Sequence, residues 1–262
     1  MSAVDPIAER LEVIVPVGLA ELDATAALLT RRDRKYLVPE AVAAELVERL
    51  SGSARVLEID GRRTFRYESV YFDTPDAAAY LLAARRRPRR FKVRTRSYLD
   101  AGRCLLEVKT RDPRGRTVKE RAEHPLDIRS RLEPVDLAFV GACPLIGERS
   151  RELEPALTTA FRRSTILLEG SAARLTIDTE LVARTPDGRS VSLDGMAIVE
   201  TKAAGPPSDA DRQLWSLGLR PTRVSKFGTS LAALRPELPA NKWTRALRAP
   251  WVVRDQLTAA IA

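Results

Sequence analysis

Two cysteines and one histidine are all that this 262-residue chain offers for thiolate or imidazole chemistry. Cys104 and Cys143 could form one bridge at most. With His124 alone, neither a zinc-ligand spacing nor a disulfide framework is present. Aromatic residues make up only 5%, too few for the stacking sheet faces that hold single-stranded nucleic acid. No helix-turn-helix or zinc-finger pattern occurs either. No apolar run approaches the roughly 20 residues that span a bilayer. The N-terminal stretch MSAVDPIAERLEVIVPVGLAELD is acidic where a signal peptide needs a basic segment, and Pro and Gly interrupt its apolar residues. The expectation is a cytoplasmic protein, membrane-associated only through a membrane-protein partner. Oligomeric state is not indicated.

Basic residues are not scarce. Lys plus Arg total 44 against 35 Asp plus Glu, a net charge of +9, which favours polyanionic partners. Along the chain, strand-like runs at 31–38, 54–60, 66–73, 90–99, 103–110 and 116–123 are joined by turns such as Asp100-Ala101-Gly102 and Asp112-Pro113-Arg114-Gly115. A helical or irregular stretch covers 127–159. Strands resume at 161–169, 172–183, 189–193 and 196–202. Helices are predicted after Pro39, after the Thr74-Pro75 start signal, at 208–217 and near 251–261. This pattern predicts an α+β fold with a mostly antiparallel sheet. Residues 1–29 read as a lead-in and 236–262 as a tail. His124, next to Pro125, is expected at the surface.

Side chains alternate sides along a strand, and here one side is cationic. Lys92, Arg94 and Arg96 oppose Phe91, Val93 and Thr95. Glu107 and Lys109 oppose Leu106 and Val108, and Lys119 and Arg121 share a face. Arg174 opposes Leu175, and Glu200 with Lys202 opposes Val199 and Thr201. Lys35 and Arg163 fit the same register. A solvated sheet face produces such alternation too, but it usually mixes signs, and like charges on neighbouring strands repel. If helices cover the apolar face and the sheet curls, the charged face lines an enclosed space that calls for a phosphate-rich ligand. Glu200 and Glu107 are then the candidate ligands for Mg²⁺ or Mn²⁺, with a plain salt-bridge role equally open for Glu107. Asp73 and Asp178 are expected to fix a turn or to pair with arginines.

The strings DRKYLVP (33–39), SVYFDTPD (69–76), FKVRTRSY (91–98), LEVKT (106–110), RGRTVKERA (114–122), RLTIDTEL (174–181), IVETK (198–202) and RVSKF (223–227) occur in that order. Together they resemble the VTC domain, the polyphosphate polymerase branch of the triphosphate tunnel metalloenzymes, over residues 30–235. The resemblance implies a closed antiparallel β-barrel of about eight strands with helices outside. It implies a tunnel holding ATP or polyphosphate together with a divalent metal. By motif, it assigns the tunnel cations to Lys35, Arg94, Arg96, Lys109, Arg163, Arg174 and Lys226. Further phosphate contacts fall to Lys119 or its competitor Arg121, and to Lys202, Arg223 and Ser225; the metal falls to Glu200.

Two departures stand out. The family's Tyr-x-Arg reads Phe161-Arg162-Arg163, and the wider superfamily's Glu-x-Glu-x-Lys reads Arg31-Arg32-Asp33-Arg34-Lys35. The implied reaction is transfer of the terminal phosphate of ATP to a growing polyphosphate chain. A triphosphatase or polyphosphatase, and a non-catalytic binder of polyphosphate or inositol phosphates, are the alternatives.

Overall fold

The computed structural model describes residues 6–25, 32–111 and 116–254. The expected turn at 112–115 and most of the expected C-terminal helix lie outside the described residues. From the N-terminus run α1 (Pro6–Leu11), β1 (Val15–Val17), α2 (Leu19–Thr25), β2 (Arg32–Pro39), α3 (Glu40–Leu50), β3 (Ala54–Leu57) and β4 (Phe65–Asp73). Then come α4 (Ala78–Ala84), β5 (Arg90–Tyr98), β6 (Arg103–Arg111), β7 (Thr117–His124) and α5 (Pro134–Gly141). The remainder is β8 (Glu154–Leu168), β9 (Ala173–Arg184), β10 (Ser190–Leu193), β11 (Met196–Ala203), α6 (Asp209–Ser216), α7 (Lys226–Leu234) and β12 (Trp251–Arg254). Trp251–Arg254 is thus a strand where a helix was expected. β8 begins earlier than predicted, because Leu157 and Thr159 continue its buried alternation.

Contacts divide the chain into two compact units. The first comprises Met1–Phe65, Phe161–Glu180 and Leu193–Val224. Its strands are ordered β1-β3-β8-β9-β11-β2, with β1–β3 parallel and β3–β8, β9–β11 and β11–β2 antiparallel. Pro39 ends β2 and, with φ −55°, N-caps α3. The apolar face of α3 (Ala43, Leu46, Val47, Leu50) packs with Ile7, Leu11, Val38, Leu175 and Val199. Each fully buried Val, Leu or Ile side chain among them contributes about 1.5–3 kcal/mol.

The second unit comprises Arg66–Ala160, Leu181–Ser192 and Ser225–Ala262. Its centre is the antiparallel meander β4-β5-β6-β7. Asp73 accepts bonds from the Ala79 and Tyr80 N–H groups, and Thr74 Oγ1 from that of Ala78, so the SVYFDTPD string caps α4. One apolar cluster joins Val70, Phe72, Phe91, Val93, Leu106 and Val108 to Val140 and Ile146. A second joins Tyr71, Tyr80, Phe227, Leu231 and Trp243. Gly228 is required there: a Cβ on it would lie 2.2 Å from the Trp243 ring.

The closed barrel does not form. Among the described residues β1 pairs only with β3 and β2 only with β11, while β7 pairs only with β6 and β12 ends its ladder on β10. Closure needs a last strand hydrogen-bonded to a first with a fixed stagger. What forms is a large, mainly antiparallel sheet with open edges in a mixed α+β fold. His124 is not at the surface either. It is 5% exposed, held by the Pro125 and Arg131 carbonyls and 3.3 Å from Asp136 of α5. Cys104 and Cys143 are free and buried.

Candidate functional site

In the first unit the register sets Lys35 opposite Glu200, and Glu200 opposite Thr176; Lys202 faces Asp33 on one side and Arg174 on the other. Glu200, 8% exposed, lies 3.4 Å from Lys35 Nζ and 3.3 Å from Lys202 Nζ. Burial, with Arg163 and Lys35 nearby, lowers the Lys202 ammonium to about 8 even though Glu200 opposes the shift. Arg163 donates through Nε and Nη2 to both oxygens of Asp178, at 2.5 and 2.7 Å, as an arginine partner was expected to do. Its guanidinium lies 5.3 Å from the ring of Phe161, the residue that replaces the motif tyrosine. Arg174 is held by Asp23 at 2.9 Å and by the Leu22 carbonyl. Arg223 is exposed in the loop before Val224.

A network on the opposite face of β2 and β11 fixes this register. Asp211, fully buried, accepts from Tyr36 OH and Thr201 Oγ1, each at 2.7 Å. It also closes the capping box of α6 with Ser208. Nothing in the strand pattern announces that carboxylate; the Ser-x-x-Asp spacing is its one sequence signal.

In the second unit one cross-strand row reads Tyr71, Arg94, Glu107, Arg121, and the next reads Lys92, Lys109, Lys119. Arg94 donates Nε to Glu107 at 2.7 Å and Nη1 to Tyr71 OH at 3.2 Å. Glu107, 2% exposed, also meets Lys119, with Arg121 at 3.4 Å. Burial opposes its charge, but Arg94, Arg96 and Lys119 prevail and hold the carboxyl near 2. Lys119 is lowered to about 8 by burial, against the pull of Glu107. Lys92 donates to Ser225 Oγ at 3.4 Å. Ser225 N-caps α7 by accepting from Gly228 N–H, which places Lys226 in that helix's first turn. Lys109 shares the cationic face of β6 but is exposed.

Tyr71 was not singled out by the motifs, and it sits at the heart of this cluster. It is 3% exposed, stacked on Phe227 at 5.0 Å, with Lys92 5.4 Å from its ring centre. Burial alone would raise its phenol. Arg94, Lys92, Arg96 and Lys226 overcome that and bring it down to about 7. Above that value the phenolate competes with any added anion for the same cations. Tripolyphosphate affinity is therefore expected to weaken as pH rises through about 7, and Tyr71→Phe, which keeps the ring stack, to flatten that step in calorimetric titrations on both sides of it. Stability runs in the opposite sense: the phenol is depressed from its ordinary value of about 10, so its contribution is present in alkali and lost as pH falls through about 7.

The structure therefore gathers Lys35, Glu200 and Lys202, with Arg163 on Asp178, in one unit. It gathers Arg94, Arg96, Glu107, Lys119, Arg121, Ser225 and Lys226 in the other. Most of these side chains are buried or half-buried, not spread on a solvated face. The family model of the VTC domain matches residues 30–235. The chain belongs to the VTC domain family. No curated protein matches it. Among solved structures it is similar to the PH1819 protein from Pyrococcus horikoshii OT3 at 15% identity and a TM-score of 0.41, over 79% of this chain and 100% of that one. It is also similar to HpAC1 from Hippeastrum, described as an adenylyl cyclase candidate with a dominant triphosphatase activity, at 15% identity and a TM-score of 0.43, over 81% and 100%.

The donor set of this VTC domain bears on the metal its family resemblance implies. No cluster of three or more His, Cys, Asp or Glu side chains occurs among the described residues. Glu200 is flanked by two lysines, and Glu107 faces three cations. These residues do not make a resident metal cage. Glu200 could add one oxygen to a cation whose other ligands come with bound phosphates.

Proposed function

We propose that this VTC domain transfers the terminal phosphate of ATP to a growing polyphosphate chain. The observation that carries the reading is the surplus of cations over carboxylates around the buried side chains of Tyr71 and Glu107. In the second unit Lys92, Arg94, Arg96, Lys119, Arg121 and Lys226 surround Tyr71 and one buried carboxylate, Glu107. Such a cluster needs anions, and arginine forks match phosphate oxygens. Phosphoryl transfer asks mainly for alignment and charge neutralisation. Arg94, Arg96, Lys109, Lys119, Arg121, Ser225 and Lys226 serve as phosphate contacts in one unit. Lys35, Arg163, Arg174, Lys202 and Arg223 do so in the other. Glu107 acts as the internal counter-ion that sets Arg94 and Lys119 in place. Glu200 holds Lys35 and Lys202 and is the carboxylate available to Mg²⁺ or Mn²⁺. A phosphate acceptor is already anionic and needs no deprotonation, which favours chain growth over attack by water. Among the described residues no helix is long and apolar enough to cross a membrane, and a membrane-protein partner for the product stays within this proposal.

Incubation of the purified protein with ATP and Mn²⁺ or Mg²⁺ tests this reading, with products resolved by chain length. Long-chain phosphate is expected; orthophosphate without chain growth would establish a hydrolase instead. Glu200→Gln is expected to lower turnover by about 10²-fold, the scale for losing one group that stabilises developing charge. Unchanged turnover would remove Glu200 from that role.

A further inference from the structure

The matched family region ends at residue 235, yet residues 236–254 pack within the second unit. They run through two short 3-10 turns, Asn241–Trp243 and Ala246–Arg248, into β12. Side chains tie this strap down along its length. Tyr80 OH donates to the Pro239 carbonyl at 3.2 Å and Lys242 Nζ to the Ala83 carbonyl at 2.9 Å, which fixes the strap to α4. Arg254 Nη1 donates to Ser192 Oγ at 2.8 Å. Leu238, Ala240, Leu247 and Trp251 pack against the apolar cluster that holds Tyr71 and Phe227.

Trp243 of the strap is 2% exposed, and a series of ring contacts leads from it to the cation cluster. Ring centres lie 5.4 Å apart from Trp243 to Tyr80, 6.3 Å from Tyr80 to Phe227 and 5.0 Å from Phe227 to Tyr71. The indole also occupies the place of a side chain at Gly228: a Cβ there would meet its Cε2, Cζ2 and Cη2 atoms. Gly228 is the third residue of α7. Glycine inside a helix weakens it relative to alanine, because its backbone has more freedom to lose; packing on the indole offsets that weakness. Gly228 donates its N–H to Ser225 Oγ at 3.2 Å, and Ser225 Oγ also accepts from Lys92 Nζ at 3.4 Å. The turn that carries Ser225 and Lys226 thus depends on the indole behind it.

We propose that Trp243 is a positioning residue for phosphate binding: from the strap it holds the first turn of α7, so that Ser225, Lys226 and the Phe227–Tyr71 stack keep their places beside Lys92 and Arg94. It acts through Gly228 and Phe227 and is not itself a phosphate contact. The inference deepens the phosphate-binding reading of the Arg94 cluster and rests on it. Loss of the indole removes the packing that compensates for Gly228, and the turn frays from its N-cap.

Calorimetric titration of the intact protein with tripolyphosphate tests this, using Trp243→Leu, Trp243→Phe, Gly228→Ala and the double variant Trp243→Leu with Gly228→Ala. Each is titrated below its unfolding transition, with circular dichroism matching wild type, because a cavity at position 243 lowers stability whatever its role. Trp243→Leu should weaken affinity about tenfold, the scale for losing one hydrogen bond to a charged group. Trp243→Phe keeps a ring against Tyr80 but withdraws the atoms nearest Gly228, and should lose part of that affinity. Gly228→Ala pushes the indole away and should match Trp243→Leu. In the double variant a methyl at position 228 fits the vacated space and restores helix propensity, so most of the affinity should return. Folded single variants that bind like wild type overturn the positioning role, and Trp243→Phe decides this if Trp243→Leu does not fold. A double variant no tighter than Trp243→Leu overturns the route through α7. Failure of wild type to bind tripolyphosphate removes the phosphate reading itself.

Discussion

Asp178→Ala is expected to destabilise the first unit by about 3–5 kcal/mol, the scale for removing one partner of a desolvated ion pair. Asp178 is 1% exposed and Arg163 9%, and the two share bonds of 2.5 and 2.7 Å. Without the carboxylate the guanidinium stays buried, close to Lys202, whose charge its surroundings already disfavour. Chemical denaturation measures the loss. Replacing both members, Arg163→Met with Asp178→Leu, should restore most of it, because two apolar groups of similar size carry no desolvation penalty. Phosphate added to Asp178→Ala should recover stability if Arg163 is a ligand contact, since a bound anion stabilises only the folded state. A loss under about 1 kcal/mol, the level of a solvated pair, would mean that this pair is not desolvated.

Arg94→Ala should reduce phosphoryl transfer by about 10²–10³-fold, comparable to deleting one preorganised donor from a charge-stabilising site. Arg94 couples Glu107 on β6 to Tyr71 on β4, so its removal takes away a fork and loosens its two neighbours. Arg94→Lys restores the charge without the planar geometry and should recover only part of the rate. The check is turnover and tripolyphosphate affinity for both variants. Rates for Arg94→Ala equal to wild type would place the reaction away from this cluster.

The strands of the meander could be read directly. Alternation of Phe91, Val93, Thr95 and Ser97 with four cations is what a half-buried strand requires, and β5 follows it residue for residue. Pro39 acts locally through φ restriction and the structure uses it. Thr74 does accept from the Ala78 N–H, but α4 opens at Ala78 rather than at the expected Pro75. Barrel closure could not be read. Alternation states which face of a strand is polar, not which edge finds a partner, and the ladders end on β1, β2, β7 and β12. His124 was misread for a related reason: its burial depends on Asp136 and Arg131, brought to it by the chain beyond β7.

The two candidate carboxylates show the same division. Glu107 and Glu200 look alike in sequence, each two residues before a lysine on a strand. The folded chain sets three cations around the first and two lysines around the second. Tyr71 is the sharper case. Nothing in SVYFDTPD marks it out, and only the convergence of Lys92, Arg94, Arg96 and Lys226 turns it into a group that titrates near neutrality. Local order alone was enough to place the polar and apolar faces, the starts of α3 and α6 and the cationic character, because backbone geometry and side-chain period act over a few residues. Pairing of edges, burial of single polar groups and the balance of charge around each carboxylate depended on residues distant in sequence, since electrostatic energy and desolvation follow separation in space.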